Sequence, residues 1–228
     1  MKVFFLVPHP DDESLGGLLP LRFRAEARAR VLCVPLTLGS DPARRAARAK
    51  EFRAACRVLG FTARPFPPGA PPTAEDIVSI LAGEKPDVFV FPHPRDGHPR
   101  HMLCGRIARA AIAATRASLL AVETEFWHPM WRPNLLLEAS PERRDTLLAA
   151  LRCHAGELAR ADYDSRYPAW LVDNVRRGAE RVFPPGSPAV EGVAEGVLLR
   201  ASRVVRGKAR ALPPRLLRAS DGVSGLLG

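Results

Sequence analysis

The chain has 228 residues, a net charge of +10, 46% hydrophobic residues and 25% charged ones. This is the composition of an ordinary globular protein with length enough for a substantial core, and it excludes a disordered or fibrous chain. No run of about 18 apolar residues occurs, so no membrane-spanning helix is expected, and four scattered cysteines fit neither a disulfide framework nor a Cys-type zinc site.

Val3-Phe4-Phe5-Leu6-Val7 reads as a buried strand. Pro8-His9-Pro10-Asp11-Asp12-Glu13 follows it directly, so an imidazole and adjacent carboxylates leave the carboxyl end of a strand. In α/β sheets that is where ligands bind. Such a set can supply two metal ligands and a base; the competing reading is that the three acids simply open a helix from Asp12 to Glu26. A strand Arg30–Leu36 and a helix Pro42–Leu59 come next, then an extended piece at Phe61–Phe66 and a turn-rich Pro67–Pro72. Thr73 starts a helix running through Leu81, and Asp87-Val88-Phe89-Val90-Phe91 is another buried strand.

Pro92-His93-Pro94-Arg95-Asp96-Gly97-His98-Pro99-Arg100-His101 holds three of the six histidines, with Pro94, Gly97 and Pro99 keeping the segment irregular. An apolar-faced helix is expected from Met102 to Thr115, and a strand over Ser118–Trp127. Ser140-Pro141 is a good helix start, with that helix reaching Arg160 and another spanning Trp170–Arg181. The alternation predicts an α/β fold, with a parallel sheet carrying helices on both faces. The two histidine segments share one layout, strand, then His/Asp loop, then helix.

These segments resemble the PIG-L/LmbE-like zinc-dependent de-N-acetylases, the N-acetylglucosaminyl-phosphatidylinositol de-N-acetylase family. His9-Pro10-Asp11-Asp12-Glu13 with Leu15-Gly16-Gly17 matches the first family signature, and Asp96-Gly97-His98-Pro99-Arg100-His101 the second, with Arg100 where the family usually has Asp. Weaker matches are Thr37 and Gly39, Arg48-x-x-Glu51, Leu59-Gly60, Glu125-Phe126-Trp127-His128-Pro129 and Ala194-Glu195-Gly196. The resemblance covers roughly residues 1–200; residues 201–228 are expected to be a basic, partly mobile C-terminal extension.

The resemblance implies a Rossmann-like three-layer sandwich with a mainly parallel central sheet and an active site at the carboxyl ends of its strands. It assigns His9, Asp12 and His101 as ligands of zinc, leaving a fourth position open, with Asp11 as general base. A His-His-carboxylate set suits Fe2+ as well. His98 is the family-matched group for stabilising an oxyanion or protonating the leaving amine, and Glu13 supports the turn. Arg100 near His98 would lower its pKa, or else point outward with Asp96 or another acid orienting the ring. Asp96 either binds a sugar hydroxyl or caps the loop. Arg48 either reaches the pocket or pairs with Glu51, while Glu125 and Trp127 either line a sugar site or pack the strand end. His128 and His154 are read as structural or surface residues, His93 as a gate at most, and Cys104 as a core residue beside the pocket.

The implied reaction removes an N-acetyl group from an N-acetylglucosamine-type glycoconjugate. The alternatives are another N-acyl substrate, such as a thiol conjugate or an antibiotic, and a catalytically impaired metal- or sugar-binding homologue. The Arg-rich charge reads as solvated helix faces, since no aromatic residues interleave with it and no zinc finger or helix-turn-helix pattern occurs; no specific nucleic acid partner is expected. With no cleavage site after Met1-Lys2, a cytoplasmic location is expected. The basic tail offers either peripheral membrane contact or docking on its own domain, and the oligomeric state is left open.

Overall fold

The structure, a computed structural model, describes residues 1–66 and 72–227. The expected turn-rich segment lies outside them except for Pro72. In chain order the elements are β1 (Lys2–Val7), α1 (Asp12–Leu15), α2 (Leu18–Glu26), β2 (Arg30–Pro35), α3 (Arg45–Leu59), β3 (Thr62–Ala63), α4 (Ala74–Glu84), β4 (Val88–Pro92), α5 (Pro99–Ala114), β5 (Leu119–Thr124), β6 (Leu135–Glu138), α6 (Pro141–Leu151), α7 (Ala155–Leu158), α8 (Tyr163–Arg181), β7 (Gly196–Val205), β8 (Lys208–Ala211) and β9 (Arg215–Leu217). Among the described residues no helix is long and apolar enough to cross a membrane.

One mixed sheet runs in the order β3-β2-β1-β4-β5-β7-β6-β9, with β8 paired to β7. The strands from β3 to β5 are parallel, and β7 is antiparallel to both β5 and β6. Along β1 the side chains alternate between two cores, as the two-residue period of a strand requires. Val3, Phe5 and Val7 pack on one face with Phe52 of α3, Leu147 of α6 and Leu171 of α8. Phe4 and Leu6 pack on the other with Ile77 of α4 and Ala108 of α5. This is the α/β sandwich expected from the alternating pattern.

The chain leaves β1 for β2 and β3 on one side, then returns to β4 on the other side of β1. Successive connections therefore diverge between β1 and β4, opening a crevice at their carboxyl ends. The two histidine segments follow those two strands, which is why segments 80 to 90 residues apart meet.

Several boundaries differ from the expected ones. The helix expected over 12–26 is two helices, broken at Gly16-Gly17. A Cβ at Gly17 would lie 2.0 Å from the Glu13 carbonyl oxygen, so only glycine permits the chain to fold back that closely. Gly17→Ala should destabilise the protein by about 1–3 kcal/mol, read as a lower denaturant midpoint. The helix after β4 begins at Pro99, three residues before the expected Met102: proline at the first helical position and His98 as cap make Pro99 a start signal, not a loop keeper. The helix expected to reach Arg160 stops at Leu151 and resumes as α7, and the one expected from Trp170 begins at Tyr163, carrying Pro168 inside it.

β7 crosses the boundary drawn at residue 200, β8 folds back on it through Arg206-Gly207, and β9 joins β6. The end of the chain docks as well: Val223 and Leu226 are buried, the Val223 N–H donates to Glu26, and Arg22 donates to the Asp221 carbonyl at 2.5 Å. Apolar residues spaced among the basic ones in this stretch are sheet and core positions.

Candidate metal centre and catalytic cleft

β1 ends at Val7, and the following turn places Asp11 at φ 115°, a left-handed conformation that a non-glycine residue adopts only when its surroundings hold it. Glu13 does part of this, accepting the Asp11 N–H on Oε2 at 2.9 Å. Asp12 accepts the His9 backbone N–H at 2.9 Å. The Asp12 carboxylate lies between two imidazoles, 3.3 Å from His9 Nδ1 and 3.4 Å from His101 Nε2.

His98 and His101 approach from the start of α5. The helix is drawn in against the turn after β4, since a Cβ at Gly105 would lie 2.5 Å from the Pro92 carbonyl oxygen. Ligand nitrogens of His9, His98 and His101 lie within 4.8 Å of one another. The structure thus brings together all five residues expected at the centre: His9, Asp11, Asp12, His98 and His101 line one cleft with Arg48 and Trp127.

Hydrogen bonding separates the roles of the two α5 histidines. His101 Nδ1 donates to Asp96 Oδ2 at 2.6 Å, which leaves the Nε2 lone pair facing Asp12. His98 Nδ1 instead accepts the Arg100 backbone N–H at 3.3 Å. In the neutral ring the proton is then on Nε2, making His98 a donor toward the cleft.

The electrostatics agree with this division. Burial raises the Asp11 carboxyl well above the ordinary range, the neighbouring Asp12 and Glu13 carboxylates add to the effect, and Arg48 opposes it. Burial pulls Asp12 the same way, but the charge of His101 and the hydrogen bonds and charge of His9 outweigh it and hold Asp12 low. His98 is depressed by burial and by the His9 and His101 charges. His101 is raised, because Asp12 and Asp96 overcome its burial. Arg100, whose proximity was the concern, is exposed and is not among the groups that depress His98.

Three expectations need correction. Asp96 does not face the cleft. It is fully buried, with Oδ2 on His101 and Oδ1 accepting the N–H groups of Phe126, Trp127 and His128 at 3.0, 2.7 and 3.1 Å. Although burial works against it, the His101 hydrogen bond holds its carboxyl below the ordinary range. It orients His101, not His98. Glu125 is also buried away from the cleft, its Oε1 meeting Arg177 and its Oε2 accepting the Met130 N–H at 2.5 Å. Arg48 takes the first of its two expected places, lining the cleft instead of pairing with Glu51: its Nη2 donates to the Pro10 carbonyl at 2.8 Å, while Glu51 accepts the Gly156 N–H at 3.1 Å. His93, bonded to the His128 carbonyl at 3.0 Å, is buried and does not line the cleft. Cys104 sits in the core.

Trp127 is 46% exposed and stacks on His98, with ring centroids 6.1 Å apart. Tyr163 and Phe126 complete an aromatic wall, and Glu157 and Arg160 also line the cleft. The sequence carried no signal for these last two or for Tyr163, since α7 and the start of α8 contain no motif and enter the site only by packing.

The residues fit a metal ion. Asp12 and the nitrogens of His9 and His101 form a His-His-carboxylate donor set, and His101 has the carboxylate-bonded Nδ1 typical of a ligand ring.

Residues 4–112 match the family profile PIG-L, described as GlcNAc-PI de-N-acetylase. Over this segment, a little under half of its length, the chain is similar to the PIG-L family. The matched segment contains both histidine motifs, and with them His9, Asp12 and His101. A comparison with curated proteins finds no match. Among solved structures, the N,N'-diacetylchitobiose deacetylase of Pyrococcus horikoshii is 19% identical, with a TM-score of 0.67 over 90% of this chain and 84% of that one. The 4-carboxy-2-hydroxymuconate hydratase of Pseudomonas putida is also 19% identical, with a TM-score of 0.68 over 88% and 95%. A deacetylase of teicoplanin biosynthesis is 17% identical, with a TM-score of 0.63 over 88% and 97%. These likenesses show that the matched segment and the strands after it share the fold of all three.

Proposed function

We propose that the protein is a metal-dependent N-deacetylase acting on an N-acetylated sugar conjugate. The observation that carries this reading is the convergence of the His9/Asp12/His101 donor set with a second, buried carboxylate, Asp11, on the floor of an open cleft. The deacetylases among the structural relatives support it.

His9, Asp12 and His101 would hold a zinc or Fe(II) ion, which would supply Lewis-acid polarisation of an acyl carbonyl and acidification of water. Asp11 accepts the proton of the attacking water, a task suited to a carboxyl raised above its ordinary range by burial and by its acidic neighbours. His98 directs its Nε2 proton into the cleft, where it stabilises the oxyanion and then protonates the departing amine. Trp127, with Phe126 and Tyr163, offers an aromatic wall for the apolar face of a pyranose ring.

The test is a screen for acid release from N-acetylglucosaminyl compounds, acylated glycopeptides and N-acyl thiol conjugates, before and after dialysis against a chelator. Acetate release from the sugar compounds, lost on chelation and restored by Zn2+ or Fe2+, is expected. Turnover confined to the other amides would move the substrate class, and no acid from any amide would remove the deacetylase reading, leaving the hydration of an alkene to be assayed. Trp127→Ala should raise KM for the sugar substrate about two- to tenfold, the equivalent of about 0.5–1.5 kcal/mol of aromatic contact, with kcat nearly unchanged.

A further inference from the structure

We propose that the short helix α7 is the backing of the reactive turn: through His154 and Glu157 it clamps the peptide group between Pro10 and Asp11, which makes His154 a positioning residue for Asp11. This rests on the role given to Asp11 above.

The Asp11 backbone cannot hold φ 115° unaided, so its neighbours must impose it. Both polar atoms of the preceding peptide are fastened. The Pro10 carbonyl accepts from Arg48 Nη2 at 2.8 Å, and the Asp11 N–H donates to Glu13 Oε2 at 2.9 Å. Each fastening side chain is met from behind by the same helix. His154, the residue preceding the first turn of α7, brings Nε2 to 2.5 Å from Glu13 Oε1, with both side chains fully enclosed. Glu157 places Oε1 3.6 Å from Arg48 Nε and 2.9 Å from Arg44 Nη1.

α7 is itself tied to α3, because Glu51 accepts the Gly156 N–H at 3.1 Å. Gly17 closes the other side of Glu13 by lying against its carbonyl. Glu13 has therefore one orientation that satisfies both oxygens, and that orientation grips Asp11. Removing the His154 donor leaves a buried carboxylate oxygen without a partner, so Glu13 must turn toward some other donor or toward solvent. Either movement releases the Asp11 N–H.

The test uses full-length protein and two readouts. In the metal-free protein, the Asp11 amide resonance should lie downfield and exchange slowly, as a donor to a buried carboxylate does. His154→Gln, whose amide nitrogen replaces Nε2, should preserve both properties. His154→Asn, too short to reach, should shift the resonance upfield and speed its exchange at least about tenfold. In the metal-loaded enzyme, His154→Asn should lower kcat about 10- to 100-fold, the usual size of a lost orienting contact, with KM and metal content unchanged and with most of the rate restored in His154→Gln.

An unaltered Asp11 amide in a folded His154→Asn protein overturns the proposal, as does a variant that loses metal or raises KM with kcat intact. If His154→Asn does not fold, Glu157→Gln tests the other arm, and there too unchanged Asp11 exchange overturns it. Failure of Asp11 as the base shows instead as full activity in Asp11→Asn, a result that leaves the amide readout standing.

Discussion

Asp11→Asn is expected to lower turnover about 10²- to 10⁴-fold, the span usual for a lost general base, while metal content stays at the level of the parent protein. The two results belong together because Asp11 and Asp12, adjacent in sequence, have separate surroundings. Asp12 lies between His9 and His101 and is held ionised by them. Asp11 is pushed the other way by burial and by its acidic neighbours. An asparagine at position 11 keeps the backbone N–H that donates to Glu13, so the turn and the donor set should persist. Metal analysis beside a single-substrate kinetic run separates the outcomes. Loss of metal along with activity would place Asp11 among the ligands, and full activity would remove it as the base.

Asp96 carries the second large effect. Asp96→Ala removes the acceptor for three backbone N–H groups and for His101 in a sealed site. A cost of about 3 kcal/mol or more is expected, at about 1–3 kcal/mol for each buried donor left without a partner and allowing for partial resolvation. At about 2–4 °C per kcal/mol for a chain of this size, calorimetry should find the transition lowered by about 6–12 °C. Asp96→Asn is the finer instrument. Its carbonyl oxygen can still take the three N–H groups, but its amide nitrogen must face His101 Nδ1 as a donor. The ring proton then moves to Nε2, the nitrogen facing Asp12. Metal affinity should fall about 10- to 100-fold with stability reduced much less than in Asp96→Ala. Equal metal affinity in the Asn variant and the parent would show that Asp96 does not set the His101 tautomer.

Asp96 also shows how far a motif can be read. Its place between two histidines and a glycine marks it as functional, but the side it serves depends on residues 126–128, whose N–H groups converge on it only when β4 and β5 pair. Arg100 shows the reverse: beside the pivotal histidine in sequence, it is exposed, and its hydrogen bond to His98 comes from the backbone N–H.

What the sequence determined by itself was local. The apolar runs at 3–7 and 88–91 had to be strands buried on both faces, and the residues that follow had to emerge at strand ends. Two His/Asp segments placed there, read with their resemblance to a known pair of motifs, singled out His9, Asp11, Asp12, His98 and His101 as the expected centre. The tertiary structure decided what depends on packing between distant segments. The return of the chain across β1 set the crevice between β1 and β4. The burial of Asp96 and Glu125 turned two expected sugar contacts into supports for the 125–130 loop. The seating of α7 against Glu13 and Arg48 gave the motif its backing from residues 141 and 109 positions further along the chain. Strand and turn signals act over a few residues, whereas hydrogen bonds to buried carboxylates are chosen by whichever donors the fold delivers.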